Sequence, residues 1–114
     1  MKKIKSGLLV FTALFVSNAM KAQTLEEGKK FMYYERFQSA KAVFQKLVAA
    51  NPNNTEAIYW LGIATISQGE FGTKELNEAK EIYRKALETN SNNPLLIAGM
   101  GNIELREGKS QDAR

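Results

Sequence analysis

Residues 51–93 read NPNNTEAIYWLGIATISQGEFGTKELNEAKEIYRKALETNSNN, a stretch that opens on Asn51-Pro52-Asn53-Asn54 and closes on Asn90-Ser91-Asn92-Asn93. Between these two turns run two apolar stripes at helical spacing. Ile58, Leu61, Gly62 and Ile66 form the first, and Leu76, Ala79, Ile82, Tyr83, Ala86 and Leu87 the second, with Gly69 as the turn between them. Proline supplies no backbone donor inside a helix, and asparagine tolerates turn conformations and caps the helix that follows. The stretch therefore predicts two short helices bounded by the same kind of turn.

Working outward, the unit recurs. Gly28 and Phe37 reappear 34 residues on as Gly62 and Phe71, whereas Ala40 and Phe44 reappear 39 residues on as Ala79 and Tyr83. Downstream, Gly62 to Gly101 and Gly69 to Gly108 span 39, while Ala79 to Ala113 spans 34. The period is 34, with five residues inserted within 72–77. Repeats change the meaning of every residue in them, and these delimit three units: 23–54, 55–93, and an incomplete 94–114. The first unit carries Leu25, Gly28, Phe31 and Met32, a break near Glu35-Arg36, then Phe37, Ala40, Val43, Phe44, Leu47 and Val48. Pro94, favoured in a first helical turn, opens the third. The insertion either starts the second unit's second helix a turn early, with Thr73 as N-cap, or forms a loop over Gly72 to Leu76; the longer helix is preferred.

These residues resemble the tetratricopeptide repeat. Gly28, Phe37, Ala40, Phe44 and Pro52 carry the likeness in the first unit, and Leu61, Gly62, Gly69, Phe71, Ala79, Tyr83 and Ala86 in the second. Met100, Gly101, Gly108 and Ala113 carry it in the third. Ile58 stands where the family often has Trp, with Trp60 two residues later, Leu47 where a small residue is commoner, and Ser91 where a Pro closes the unit. The resemblance implies an all-α fold, a right-handed superhelical stack of antiparallel helix pairs, about two and a half repeats long. It also makes Ala113 the first small contact of a further second helix. Ile97, Met100 and Ile103 would then lack a cover, so the open third unit is expected to melt readily or to self-associate.

The N-terminus reads as an address rather than part of this stack. Lys2, Lys3 and Lys5 precede the apolar run Leu8 to Val16, and small residues follow, the pattern of a secretory signal peptide over residues 1–22 cleaved after Ala19 or Ala22. The run is about half of the roughly 20 residues that span a bilayer, so no membrane span is expected after cleavage. Without a Cys after either site, lipid attachment there is excluded. The expected location is outside the inner membrane, periplasmic or secreted.

Charge and chemistry narrow the function. Sixteen Lys plus Arg oppose twelve Asp plus Glu, but four of the cations (Lys2, Lys3, Lys5, Lys21) lie before residue 23 and no acid does, leaving twelve of each. A neutral remainder gives little attraction for phosphates, so no nucleic-acid partner is expected. The chain has no His and no Cys, which removes imidazole bases, thiol nucleophiles and the usual zinc ligands. Glu26 and Glu27 are adjacent and point about 100° apart on a helix. Glu75, Glu78 and Glu81 share a face but sit among Lys74, Lys80, Arg84 and Lys85, which suits ion pairing. Ser39 has no base, and the glycines at 69–72 and 99–101 lack a phosphate-loop spacing. No catalytic residue, metal or cofactor is expected.

What remains is recognition by surface. In the family resembled, the first helices of successive repeats line a groove that binds peptides or a partner's helix. Carried over by position, that lining is Leu25, Lys29, Met32 and Tyr33, then Tyr59, Ile63 and Ile66, then Leu95, Asn102, Leu105 and Arg106. The positions that clamp a C-terminal carboxylate in one variant of the family are here Leu25, Lys29, Ile63, Leu95 and Gly99, so that ligand is not expected. The leading expectation is a protein-binding scaffold of the cell envelope. The alternative makes these repeats the docking or regulatory end of a larger exported enzyme, and a third reading is self-stacking.

Overall fold

The computed structural model describes residues 24–69 and 73–112, with side chains except those of Thr73 and residues 109–112. The segment read as a signal peptide, Phe71, and Ala113 lie outside the described residues. Within them the fold is all-helical, with five helices and no strand. These are α1 Leu25–Tyr33, α2 Phe37–Ala50, α3 Thr55–Gln68, α4 Thr73–Thr89 and α5 Pro94–Asp112. Leu76 and Asn77 belong to the body of α4, which is three residues longer than α2 (17 against 14).

The ends of the helices follow from side chains that satisfy orphan backbone groups. Thr24 Oγ1 accepts from the Glu27 N–H at 3.3 Å, and Glu26 and Glu27 place negative charge on the first turn of α1, where the helix dipole favours it. The two Asn-rich turns are copies of each other. Asn54 donates its N–H to the Asn51 carbonyl at 3.0 Å and caps α3 through the Ala57 N–H at 3.2 Å. Asn93 donates its N–H to the Asn90 carbonyl at 3.1 Å and caps α5 through the N–H groups of Leu95 and Leu96. The Asn93 side-chain amide also donates to Thr55 Oγ1 at 3.2 Å, tying one turn to the other.

Between α1 and α2 the chain reverses at Glu35, whose φ of 59° is left-handed. The Arg36 N–H reaches back to the Phe31 carbonyl at 2.8 Å and the Glu35 N–H to the Met32 carbonyl at 3.0 Å, the paired bonds that close a helix around a left-handed residue. Glycine adopts that backbone without the Cβ penalty. Glu35→Gly is therefore expected to raise stability by about 0.5–1 kcal/mol, read as an upward shift of the thermal midpoint.

Short connections force successive helices to pack as antiparallel neighbours, and each helix does pack on the next. α1 also touches α3, and α3 touches α5. α3 sits in the middle and is apolar almost all round, as a helix with neighbours on several sides must be. On one side Leu61 and Ala64 join Ala40 and Phe44, with Phe31, Met32 and Trp60 against them. On the other Ile58 and Ile66 join Ala79, Tyr83, Leu96 and Ile103. Val48 and Ile82 pack against both groups and link them. Buried Thr65 donates to the Leu61 carbonyl at 2.8 Å, and no buried side-chain polar atom among the described residues lacks a partner.

Glycines sit where helices cross most closely. A methyl group at Gly28 would strike the Phe44 ring, and one at Gly62 would strike Tyr83. Gly99 also faces Tyr83, so that ring is held between glycines of α3 and α5.

The third unit departs from expectation. α5 runs through Gly108 as far as Asp112, with no turn at the glycine that matches Gly69 by spacing. A glycine inside a helix costs only about 1 kcal/mol, so the backbone ladder can run through it. Nor does Ile103 lack a cover: it is fully buried against α3 and α4, and Met100 is half-buried, leaving Ile97 as the exposed member of that trio.

Candidate partner-binding face

The residues carried over as groove lining sit on α1, α3 and α5, whose backbones lie side by side. α2 and α4 have no such backbone contact; they meet through the Lys41–Glu78 ion pair at 2.8 Å. Alternate helices thus form one continuous row.

Along that row the side chains differ in what they leave free. Tyr33, at the end of α1, is 82% exposed and packs edge-on against Tyr34, which is 61% exposed. Lys29 reaches across to α3, its Nζ 3.1 Å from Glu56 Oε1 and 5.5 Å above the Trp60 ring. The ammonium is therefore tied to both an acid and an aromatic face. Met32 is half-buried against the Phe44 group. Tyr59 and Ile63 are half-buried, and Tyr59 makes an edge-on contact with Trp60 and a tilted one with Tyr83. Tyr83 donates its hydroxyl hydrogen to the Tyr59 carbonyl at 2.7 Å, and burial pushes its phenol well above the usual range, so it stays a neutral donor. On α5 Leu95 and Leu105 are exposed, and Arg106 Nε donates to Asn102 Oδ1 at 3.1 Å.

One lining residue requires correction. Ile66 is 7% exposed and packs into the group that holds Ile103 and Leu96, so it belongs to the core between α3 and α5. A central helix buried on several sides has no single inner stripe, and helical spacing alone puts Ile66 on either. Three residues of the face escaped the sequence reading. Tyr34 and Glu56 lacked a periodic signal, and Trp60 reads as a displaced family tryptophan although it stacks on Phe44 at 6.3 Å and receives Lys29.

Four carboxylates of α4 and α5 are engaged elsewhere. Glu78 pairs with Lys41, Glu107 with Lys80 at 3.2 Å, and Glu81 and Glu88 with Arg84. The hydrogen bond from Arg84 holds the Glu81 carboxyl below its ordinary range. Among the described residues no group of three potential ligands could hold a metal ion, and no helix is long and apolar enough to cross a membrane.

No protein-family model, curated protein or solved structure matches the chain. Recesses also occur outside the predicted groove. One of about 500 Å³ lies between α2 and α4 and is lined by Val48, Pro52, Ile58, Leu61, Ile82 and Ala86, among others. Another, of about 610 Å³, lies beside α1 between Phe31, Tyr34, Lys30 and Arg36. Neither includes a residue of the predicted groove.

Proposed function

We infer that this chain is an exported scaffold that binds a protein or peptide along the α1–α3–α5 row, in the manner of the tetratricopeptide repeats its sequence resembles. The observation that carries the reading is the row itself. When odd-numbered helices touch along their backbones and even-numbered ones meet only through side chains, a stack curves toward the odd-numbered side, and a right-handed superhelix of such pairs presents its first helices inward. Exposed Tyr33 at one end, half-buried Tyr59 and Ile63 in the middle, and Leu95, Leu105 and Arg106 at the other supply aromatic and apolar anchors with a polar margin. Anchors of that kind dominate protein interfaces. The absence of His and Cys from the sequence gives no support to a catalytic role.

Tyr33 and Arg106 lie at opposite ends of the row and are exposed, so replacing both leaves the core alone. In a quantitative pull-down from envelope extract, the Tyr33→Ala/Arg106→Ala chain is expected to lose at least tenfold in recovery of the partners that wild type captures, at an unchanged thermal midpoint. Equal recovery by the double variant would remove the face from consideration.

A further inference from the structure

α3 packs against both α2 and α4, which make no backbone contact with each other, and a cleft of about 500 Å³ is left between them with α3 as its floor. Buried Ile58 and Leu61 form that floor. Half-buried Val48 of α2 stands on one side, and half-buried Ile82 and Ala86 of α4 stand on the other. Pro52 and Asn53, in the turn that leads into α3, line the end nearest that turn. Nearer the N-termini of α2 and α4, the Lys41–Glu78 ion pair bridges the two helices at 2.8 Å.

Sites for small molecules are concave and mostly apolar, about 300–1,000 Å³ in volume, with a few polar groups that fix orientation. This cleft fits that description, and its lining narrows the ligand. The apolar part is aliphatic, and among the described residues no aromatic side chain lines it. A flexible hydrocarbon chain can fill such a space, whereas a planar aromatic molecule would find no ring to stack on. Two charged side chains, Lys85 and Glu88, stand at the mouth. Glu88 is engaged by Arg84 Nη1 at 3.0 Å, and Glu81, one turn before Lys85 on α4, is held by the same arginine. Lys85 is exposed and has no ion pair among the described residues. The mouth thus offers one cation whose acidic neighbours are already taken.

We propose that the cleft between α2 and α4 binds a single-chain aliphatic carboxylate, its chain lying on Ile58 and Leu61 and its head group paired with the Lys85 ammonium. The site shares no residue with the α1–α3–α5 face and does not rest on the function proposed for it.

The test titrates the full chain, methyl-labelled for NMR, with octanoate, and with 1-octanol and octylammonium as neutral and cationic molecules of the same chain length. Octanoate is expected to shift the methyl resonances of Val48, Ile58, Leu61 and Ile82 along one saturable curve. Butanoate should bind at least tenfold more weakly, because four methylenes no longer leave water. 1-Octanol should bind at least threefold more weakly than octanoate, and octylammonium at least tenfold. Lys85 is exposed, so Lys85→Gln leaves the fold alone; it should lower octanoate affinity to that of 1-octanol without changing the affinity for 1-octanol itself. Absence of a saturable shift overturns the proposal, as do shifts at Leu95 and Leu105 in place of the cleft methyls. Equal affinity for the three head groups, or undiminished octanoate binding by Lys85→Gln, would show a recess that takes up any apolar chain and would overturn it too.

Discussion

Tyr83→Ala is expected to abolish the cooperative thermal transition of this protein or to lower its midpoint by more than 10 °C. The ring is fully buried, lies between Gly62 of α3 and Gly99 of α5, and belongs to the group that joins α3, α4 and α5. Truncating a buried aromatic to alanine typically costs about 3–5 kcal/mol, because the neighbours cannot collapse into the space. Here the flanking positions are glycines, with no side chains to move inward. A small domain has only about 5–15 kcal/mol in total, and each kcal/mol is worth about 4–8 °C at this size. Tyr83→Phe separates packing from hydrogen bonding: it keeps the ring and loses the bond to the Tyr59 carbonyl, for about 1 kcal/mol. Circular dichroism melts of the two variants decide the matter. An alanine variant that melts within a few degrees of wild type would show that the ring does not hold the three helices together.

That the same ring could be singled out from sequence reflects what makes repeats legible. Close helix crossings demand glycine or alanine on one side and a large side chain on the other, and the demand recurs at a fixed interval, so Gly28, Phe44, Gly62, Ala79 and Tyr83 identify themselves by spacing. The turns are legible for a similar reason: Asn54 and Asn93 close the same four-residue pattern, and each accepts from the N–H three residues on at the start of α3 and α5. Legibility fails where a residue answers to a neighbouring unit rather than its own. Gly101 fits the repeat by spacing, yet it is Gly99 that meets Tyr83, the ring of the preceding pair. Ile66 falls on the groove lining by position, but the approach of α5 buries it. Gly108 carries the sequence mark of a turn and lies within α5, because a glycine ends a helix only where packing rewards the reversal. The face along α1, α3 and α5 is harder still. Its Tyr33, Leu105 and Arg106 are exposed and little constrained by the fold, so neither periodicity nor packing records what they touch.

The strongest check on the repeat is that one substitution at equivalent positions should have opposite effects. Gly62 and Gly101 are 39 residues apart and occupy the same place in their units. Leucine at Gly62 must displace Tyr83, since even a methyl there collides with its ring, and that ring cannot retreat without pressing on Gly99. Overpacking of this kind costs about 1–3 kcal/mol and more where backbone must shift. Because Tyr83 also anchors α5, the loss is expected at the upper end, a fall in midpoint of roughly 10 °C or more. At Gly101 the Cβ of a leucine meets nothing within 4 Å among the described residues and the helix penalty of glycine is removed, so the change should be neutral or stabilising by up to about 1 kcal/mol. Thermal melts of the two single variants at one protein concentration measure both effects. Equal losses at the two positions would mean that α5 is already covered in solution, and equal tolerance would mean that Tyr83 does not close over Gly62. Opposite signs would show that the crossing, and not the glycine itself, sets the energy.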